Sequence, residues 1–171
     1  MVINLNGEYS HLTRTFGPVF DEFSEILILG SFPSVKSREQ NFFYGHPQNR
    51  FWRVISAVLN TDTPESIEDK TELLLKNHIA LWDTIDSCDI IGSSDSSIKN
   101  AVPTDVNLIL NKAKIKAIFC NGATSHKLYM KYLYPITNVN AIKLPSTSPA
   151  NAVFSLDRLI SIWSEEIRKV R

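Results

Sequence analysis

Two short stretches of this 171-residue chain hold most of the residues that could do chemistry. The first reads Gly30-Ser-Phe-Pro-Ser34, then Phe42-Phe-Tyr-Gly-His-Pro-Gln-Asn-Arg-Phe-Trp52. It sets three consecutive aromatics beside a turn and follows them with an amide and a guanidinium at a helix start. A flat apolar wall next to hydrogen-bonding amides suits a planar heterocycle. The second, Leu144-Pro-Ser-Thr-Ser-Pro-Ala-Asn151, places three hydroxyls between prolines. Such a turn is stiff enough to hold its donors, and Ser/Thr hydroxyls with backbone N–H groups are ordinary phosphate contacts. Each segment also has a plainer reading: Phe42 and Phe43 as core, Asn49 as a helix cap, Pro-Ser-Thr-Ser-Pro as a rigid turn.

Other chemistries lack their signatures. There is no GxGxxG, no GxxxxGK[ST], no GxSxG nucleophile turn and no HExxH, and Asn121 to Lys127 is too short for a phosphate loop. His11, His46, His78 and His126 have no ligand-like spacing. The two cysteines, Cys88 and Cys120, form neither a CxxC pair nor a cluster-binding set. These points lead us to expect neither metal nor cofactor.

The elements that must position the two stretches follow from apolar patterning. Four short runs each end in small or polar residues: Glu25–Ser31, Ile79–Thr84, Ala117–Gly122 and Ala141–Ser146. They fit strands buried on both faces of a parallel sheet. Helical spacing lies between and after them. Phe51–Leu59 puts Phe51, Val54, Ile55, Val58 and Leu59 on one face, and Ser66–Lys76, a segment capped by Thr104 or Asp105, Ser125–Tyr134 and Ser155–Val170 follow. Repeated strand–helix–strand order predicts a three-layer α/β/α sandwich with a central four-stranded parallel sheet, one domain over 1–171. Ligands of open α/β sheets bind beyond the carboxyl ends of the strands, which nominates Gly30–Phe51, Trp82–Asp89, Asn121–His126 and Pro145–Ala152. Ser93–Ser97 (SSDSS) reads as a flexible surface loop.

Net charge is zero, with 18 basic and 18 acidic residues, but the layout is uneven. Asp62–Asp105 carries ten acids and three bases, whereas Val106–Leu156 carries six lysines and no acid. Arg50 and Arg53 follow the first stretch, so positive potential could gather on the ligand edge and bind a polyanion in a salt-sensitive way. Hydrophobic content of 43% argues for a folded chain, and apolar runs of at most four residues argue against a membrane span. The N-terminus has no signal-peptide pattern. We expect a cytoplasmic protein, acting as a monomer.

The motifs GSFPS, YGHPQNRFW, LWD and LPSTSPAN, in this order from Ile26 to Asn151, resemble the uracil-DNA glycosylase superfamily, and most closely its hypoxanthine-DNA (deoxyinosine) glycosylase branch. HPQNRFW also resembles the mismatch-specific uracil glycosylases. The resemblance implies a metal-free, monofunctional glycosylase of base excision repair. Such an enzyme flips a deaminated base out of DNA and hydrolyses its N-glycosidic bond, leaving an abasic site. It implies Asn49 as the catalytic amide and a base pocket of Ser31, Phe32, Phe43, Tyr44, His46 and Asp83, with Tyr44 stacking on the base. It further implies that Ser34, Ser146, Thr147, Ser148 and Asn151 contact DNA phosphates. Uracil-specific members carry Asp, Glu or Asn where this chain has Phe32, and often His or Asn where it has Leu144. Those departures favour hypoxanthine over uracil. They also motivate a second class, a nucleic-acid-binding member without chemistry. A third is a small-molecule hydrolase or nucleotide-binding protein on the same architecture.

Overall fold

The computed structural model describes residues 7–171. Its centre is a parallel sheet of four strands: β2 (Ile26–Gly30), β3 (Ile79–Asp83), β6 (Ala117–Asn121) and β7 (Ala141–Leu144), in spatial order β3-β2-β6-β7. All four were expected, within a residue or two. Every residue of β2 and β3 is buried. Successive side chains point to opposite faces, so helices cover the sheet on both sides. The chain therefore has the α/β/α arrangement that its apolar runs indicate.

Helix α2 (Phe51–Val58) buries Phe51, Val54 and Ile55 completely and packs on α7 (Leu156–Arg168), whose Leu159, Trp163 and Ile167 are fully buried. Ser155 caps α7 by accepting from Arg158 N, and Ser66 caps α3 (Ile67–Lys76) by accepting from Asp69 N. Helix α5 (Ala123–Leu128) packs on β6 and β7 and runs through a π-turn, Tyr129–Leu133, into α6 (Tyr134–Thr137). The buried Ser125 hydroxyl of α5 donates to Leu29 O at 2.7 Å, which ties the helix to the end of β2.

A second sheet was not anticipated. Strands β1 (Ser10–Thr13), β4 (Ile85–Ile90) and β5 (Lys99–Pro103) pair antiparallel in the order β1-β4-β5. Trp82–Asp89, expected as a loop, is thus mostly strand. Register shifts on both sides of Ser87 break the two-residue alternation, so Ile85, Cys88 and Ile90 are buried at irregular spacing. Helix α1 (Val35–Gln40) likewise sits inside the first expected loop. Neither Thr104 nor Asp105 caps α4 (Asn107–Leu110), whose cap is Val106. Thr104 instead donates its hydroxyl to Asp83 O at 2.7 Å.

The topology fixes where a ligand can enter. After β2 the chain moves to β3 on one side, and β6 and β7 then add on the other. The crevice at that reversal opens between the carboxyl ends of β2 and β6, at Gly30 and Asn121.

Candidate active site

A cavity of about 1030 Å³ occupies this crevice, bounded by the ends of β2, β3, β6 and β7 and by the loop after β4. Both stretches singled out from the sequence line it: Gly30–Ser34 and Phe43, Tyr44, His46 and Asn49 on one side, Leu144–Asn151 on the other.

Four side chains form its polar floor, two from the loop before α2, one from the end of β6 and one from the loop after β7. Thr147 N donates to Asn121 Oδ1 at 3.0 Å, and Asn121 Nδ2 donates to both Thr147 Oγ1 (3.0 Å) and Tyr44 Oη (3.1 Å). Thr147 Oγ1 in turn donates to Asn49 Oδ1 at 2.9 Å, and Phe51 N donates to the same oxygen at 2.9 Å. The N-cap of α2 is Arg50 and not the Asn49 of the plainer reading, but Asn49 Oδ1 does take up the first N–H of the helix. That bond leaves the other half of the amide available. Asn49 lines the cavity; with Oδ1 accepting twice, the orientation of its amide is set, and Nδ2 has no hydrogen-bond partner among the described residues.

Tyr44 adopts φ +54°, a left-handed conformation uncommon for a bulky residue. One ring face lies on Phe51, with centroids 4.1 Å apart, and the hydroxyl is held by Asn121. Burial, reinforced by the charge of Asp83, pushes its phenol well above the ordinary range, so it remains protonated. Phe43 is 2% exposed and stands edge-on against Phe16 and Phe42, so it supports the wall behind Tyr44. Phe32 borders the cavity while packing in the smaller core with Leu12, Ile85, Cys88 and Ile90. Leu144 is fully buried.

Asp83 ends β3 against Gly30: a Cβ added there would meet its Oδ1 at 2.5 Å and Tyr44 Oη at 3.0 Å. Its Oδ2 accepts from Arg14 Nη1 at 2.6 Å in a buried ion pair. Burial pushes the Asp83 carboxyl up, and the charge and hydrogen bond of Arg14 pull against that. Arg14 and Phe16, from the segment after β1, had no sequence signal. His46 is half-buried at the rim, its Nδ1 accepting from Gln48 N.

The residues expected on phosphate divide into two groups. Ser146 and Ser148 line the cavity half-buried, and their hydroxyls accept from Ser148 N and Ala150 N. Each O–H proton is then left to donate outward. Asn151 Nδ2 donates to Ser146 O, and Ser34 caps α1 by accepting from Ser37 N while its own hydroxyl donates to Ser37 Oγ. Thr147 differs. It is completely buried and bonded on every polar atom, so the phosphate role expected of it is replaced by a structural one, holding Asn49 and Asn121.

Arg50 also departs from expectation. Its guanidinium donates inward to the carbonyls of Thr147, Ser148, Asn151 and Phe154, so it staples the last loop instead of projecting toward a polyanion. The SSDSS segment is not loose either. Ser93 Oγ accepts from Val35 N at 3.0 Å, Ser97 Oγ accepts from Ile91 N at 2.8 Å, and Asp95 Oδ1 accepts from Ser31 Oγ at 2.7 Å. Asp95 is exposed as a residue, yet it lines the cavity, and desolvation raises the pKa of its carboxyl against the pull of Ser31. Asp95 and Arg14 were the residues missed. Asn121 opens a loop that its position at a strand's carboxyl end had nominated, but its side chain was not singled out.

The profile of the Uracil DNA glycosylase superfamily matches residues 18–165, most of the chain and all four central strands. The chain belongs to that superfamily. A hypoxanthine DNA glycosylase of Methanosarcina barkeri is 33% identical over 156 residues, covering 90% of this chain and 97% of the relative. Another protein of that name, from Methanosarcina acetivorans, is 34% identical over 151 residues, with 86% and 93% covered. A solution NMR structure of a putative uracil DNA glycosylase from Methanosarcina acetivorans superposes with a TM-score of 0.78 at 34% identity, covering 92% of this chain and 98% of that one. Membership in the glycosylase superfamily agrees with the placement of the cavity at the carboxyl ends of the sheet.

Proposed function

We infer that this glycosylase acts on DNA containing deaminated purine, releasing hypoxanthine by hydrolysis of the N-glycosidic bond in base excision repair. Two relatives named for hypoxanthine cover nearly their full length in this chain, and the chain's own residues supply a matching mechanism. The observation that carries it is the orientation of Asn49: an amide whose carbonyl is occupied and whose NH₂ is free can only donate.

An everted base slides into the crevice, with the free face of Tyr44 as its shelf. Extrusion costs a few kcal/mol, least for a mispaired base, and stacking with edge hydrogen bonds offsets that. As the glycosidic bond lengthens, negative charge collects on the departing base and positive charge on the sugar. Asn49 Nδ2 donates to the base where that charge appears, from a position fixed before the reaction begins. The Ser31–Ser34 turn borders the sugar, and Ser146, Ser148 and Asn151 hold the flanking phosphates, while the Ser34 hydroxyl, already bonded to Ser37, would have to release it to join them. Leu144 and Phe32, the two departures from the uracil pattern, belong to the packed interior and leave these contacts intact. The whole site is built by one chain, which supports action by a monomer, taken here as a single domain over 1–171. We place the enzyme in the cytoplasm, and no described helix is long and apolar enough to cross a membrane.

The test is release of free hypoxanthine from an inosine-containing duplex under single-turnover conditions with chelator present. Asn49→Ala should lower the rate by about 10²-fold or more, as for loss of one preorganised donor. A wild-type protein that binds the duplex and liberates no base removes the catalytic reading.

A further inference from the structure

The mechanism above leaves the attacking water without a base. The turn after β2 cannot provide one: its Phe32 is apolar and packs into the smaller core. Among the lining residues the acids are Asp83 and Asp95. Asp83 is 4% exposed and paired with Arg14 at 2.6 Å, so a proton taken there would break a buried ion pair. Asp95 has no ion-pair partner among the described residues. Its Oδ1 is fixed by the Ser31 hydroxyl at 2.7 Å, while Oδ2 has no hydrogen-bond partner among the described residues. The loop that carries it is anchored on both sides, by Ser93 Oγ and Ser97 Oγ.

Resting on the glycosylase reading, we propose that Asp95 is a catalytic residue: its free carboxylate oxygen binds the attacking water and takes its proton. The water oxygen bonds to C1′ of the sugar while the glycosidic bond breaks, and that bond's electron pair leaves on the base. The proton on Asp95 then passes to the departed base anion, directly or relayed by water, so the products are the neutral base and an abasic sugar carrying the water's hydroxyl. Ser31 fixes the carboxylate in the lining of the same cavity as Asn49, which serves the leaving group. Desolvation raises the pKa of Asp95 toward the range in which a carboxylate is a useful base. The titratable groups that bear on it are Asp83, Tyr44 and Cys88.

The experiment compares wild type, Asp95→Asn and Ser31→Ala on an inosine duplex, reading single-turnover base release across pH, duplex affinity and Tm. Asp95→Asn should cost about 10²-fold or more in rate while affinity holds or improves, since the change removes a negative charge near phosphates. Wild type should lose rate as pH falls through the Asp95 pKa, and Asp95→Asn should lack that acid limb. Ser31→Ala should keep the limb and move it upward, because the hydroxyl bond favours the ionised form. Near-wild-type release by Asp95→Asn, or an unchanged acid limb in it, overturns the proposal and leaves the glycosylase reading standing. A rate loss matched by lost affinity or lost Tm overturns it as well. Failure of the wild type itself to release base removes both.

Discussion

Replacing Arg50 by lysine separates two roles that its charge alone cannot distinguish. The guanidinium reaches four carbonyls between Thr147 and Phe154; the bonds to Ser148 O and Asn151 O measure 2.9 and 3.1 Å, and the one to Thr147 O is longer at 3.4 Å. An ammonium keeps the charge but loses the planar fork, so it can satisfy one or two of these carbonyls from its single nitrogen. Hydrogen bonds to charged groups contribute about 1.5–3 kcal/mol each, and water can replace part of what is lost at a half-buried site, so we expect a loss of roughly 3 kcal/mol. For a chain of this size that corresponds to a fall in Tm of about 6–12 °C. Differential scanning calorimetry at neutral pH gives the shift, and the slope of log affinity against log salt for an inosine duplex gives the charge role. If Arg50→Lys melts within about 2 °C of wild type and Arg50→Ala lowers the salt slope by about one, Arg50 is a phosphate ligand and the stapling argument fails.

Gly30→Ala should cost about 1–3 kcal/mol and most of the activity, because the added Cβ falls 2.5 Å from Asp83 Oδ1, on a carboxylate whose other oxygen Arg14 holds. Unchanged urea unfolding and base release would show that Asp83 moves freely. Thr147→Val keeps the buried volume but deletes the hydroxyl between Asn121 Nδ2 and Asn49 Oδ1; it should slow base release with little change in duplex affinity, and a selective loss of affinity would argue for a phosphate contact instead. Asp95→Asn should raise Tm at neutral pH. The raised native pKa means the folded state holds the proton more tightly than the unfolded chain, so ionisation costs stability as pH rises through that pKa. The difference between variant and wild type should vanish below the unfolded carboxylate value of about 3.9, and an unchanged or lower Tm at neutral pH would count against the raised pKa.

The central sheet was legible because its strands are short and mostly apolar, with β2, β3 and nearly all of β6 buried on both faces, a pattern that helices do not share at that length. The smaller sheet was not, since the bulges around Ser87 destroy alternation and β5 carries exposed Lys99 and Asn100. In the crevice, residue type was a good guide to where Tyr44 and Asn49 lie, since both line the cavity. It was a poor guide to Arg50, because a basic residue next to a ligand loop can face either the ligand or the loop's carbonyls. Asp95 escaped notice for a related reason. A serine-rich segment reads as mobile from composition, and only three-dimensional packing shows that its hydroxyls are spent anchoring it. Asn121 owes its importance to a partner 26 positions away and another 77 away, which no local pattern encodes.

The bonds that complete the crevice span most of the polypeptide: Arg50 reaches residues 97 to 104 positions downstream, and Trp163 Nε1 clasps Pro145 O from the last helix at 2.9 Å. During synthesis the aromatic wall emerges long before the opposite wall exists. A nascent or truncated chain that stops short of Thr147 thus presents a half-built groove with Asn49 lacking the threonine that steadies it, and one that stops short of α7 lacks the Trp163 bond to Pro145 O. The last loop is thus clasped from two sides, by Arg50 upstream and by Trp163 downstream, and a chain without its final helix holds it from the Arg50 side alone.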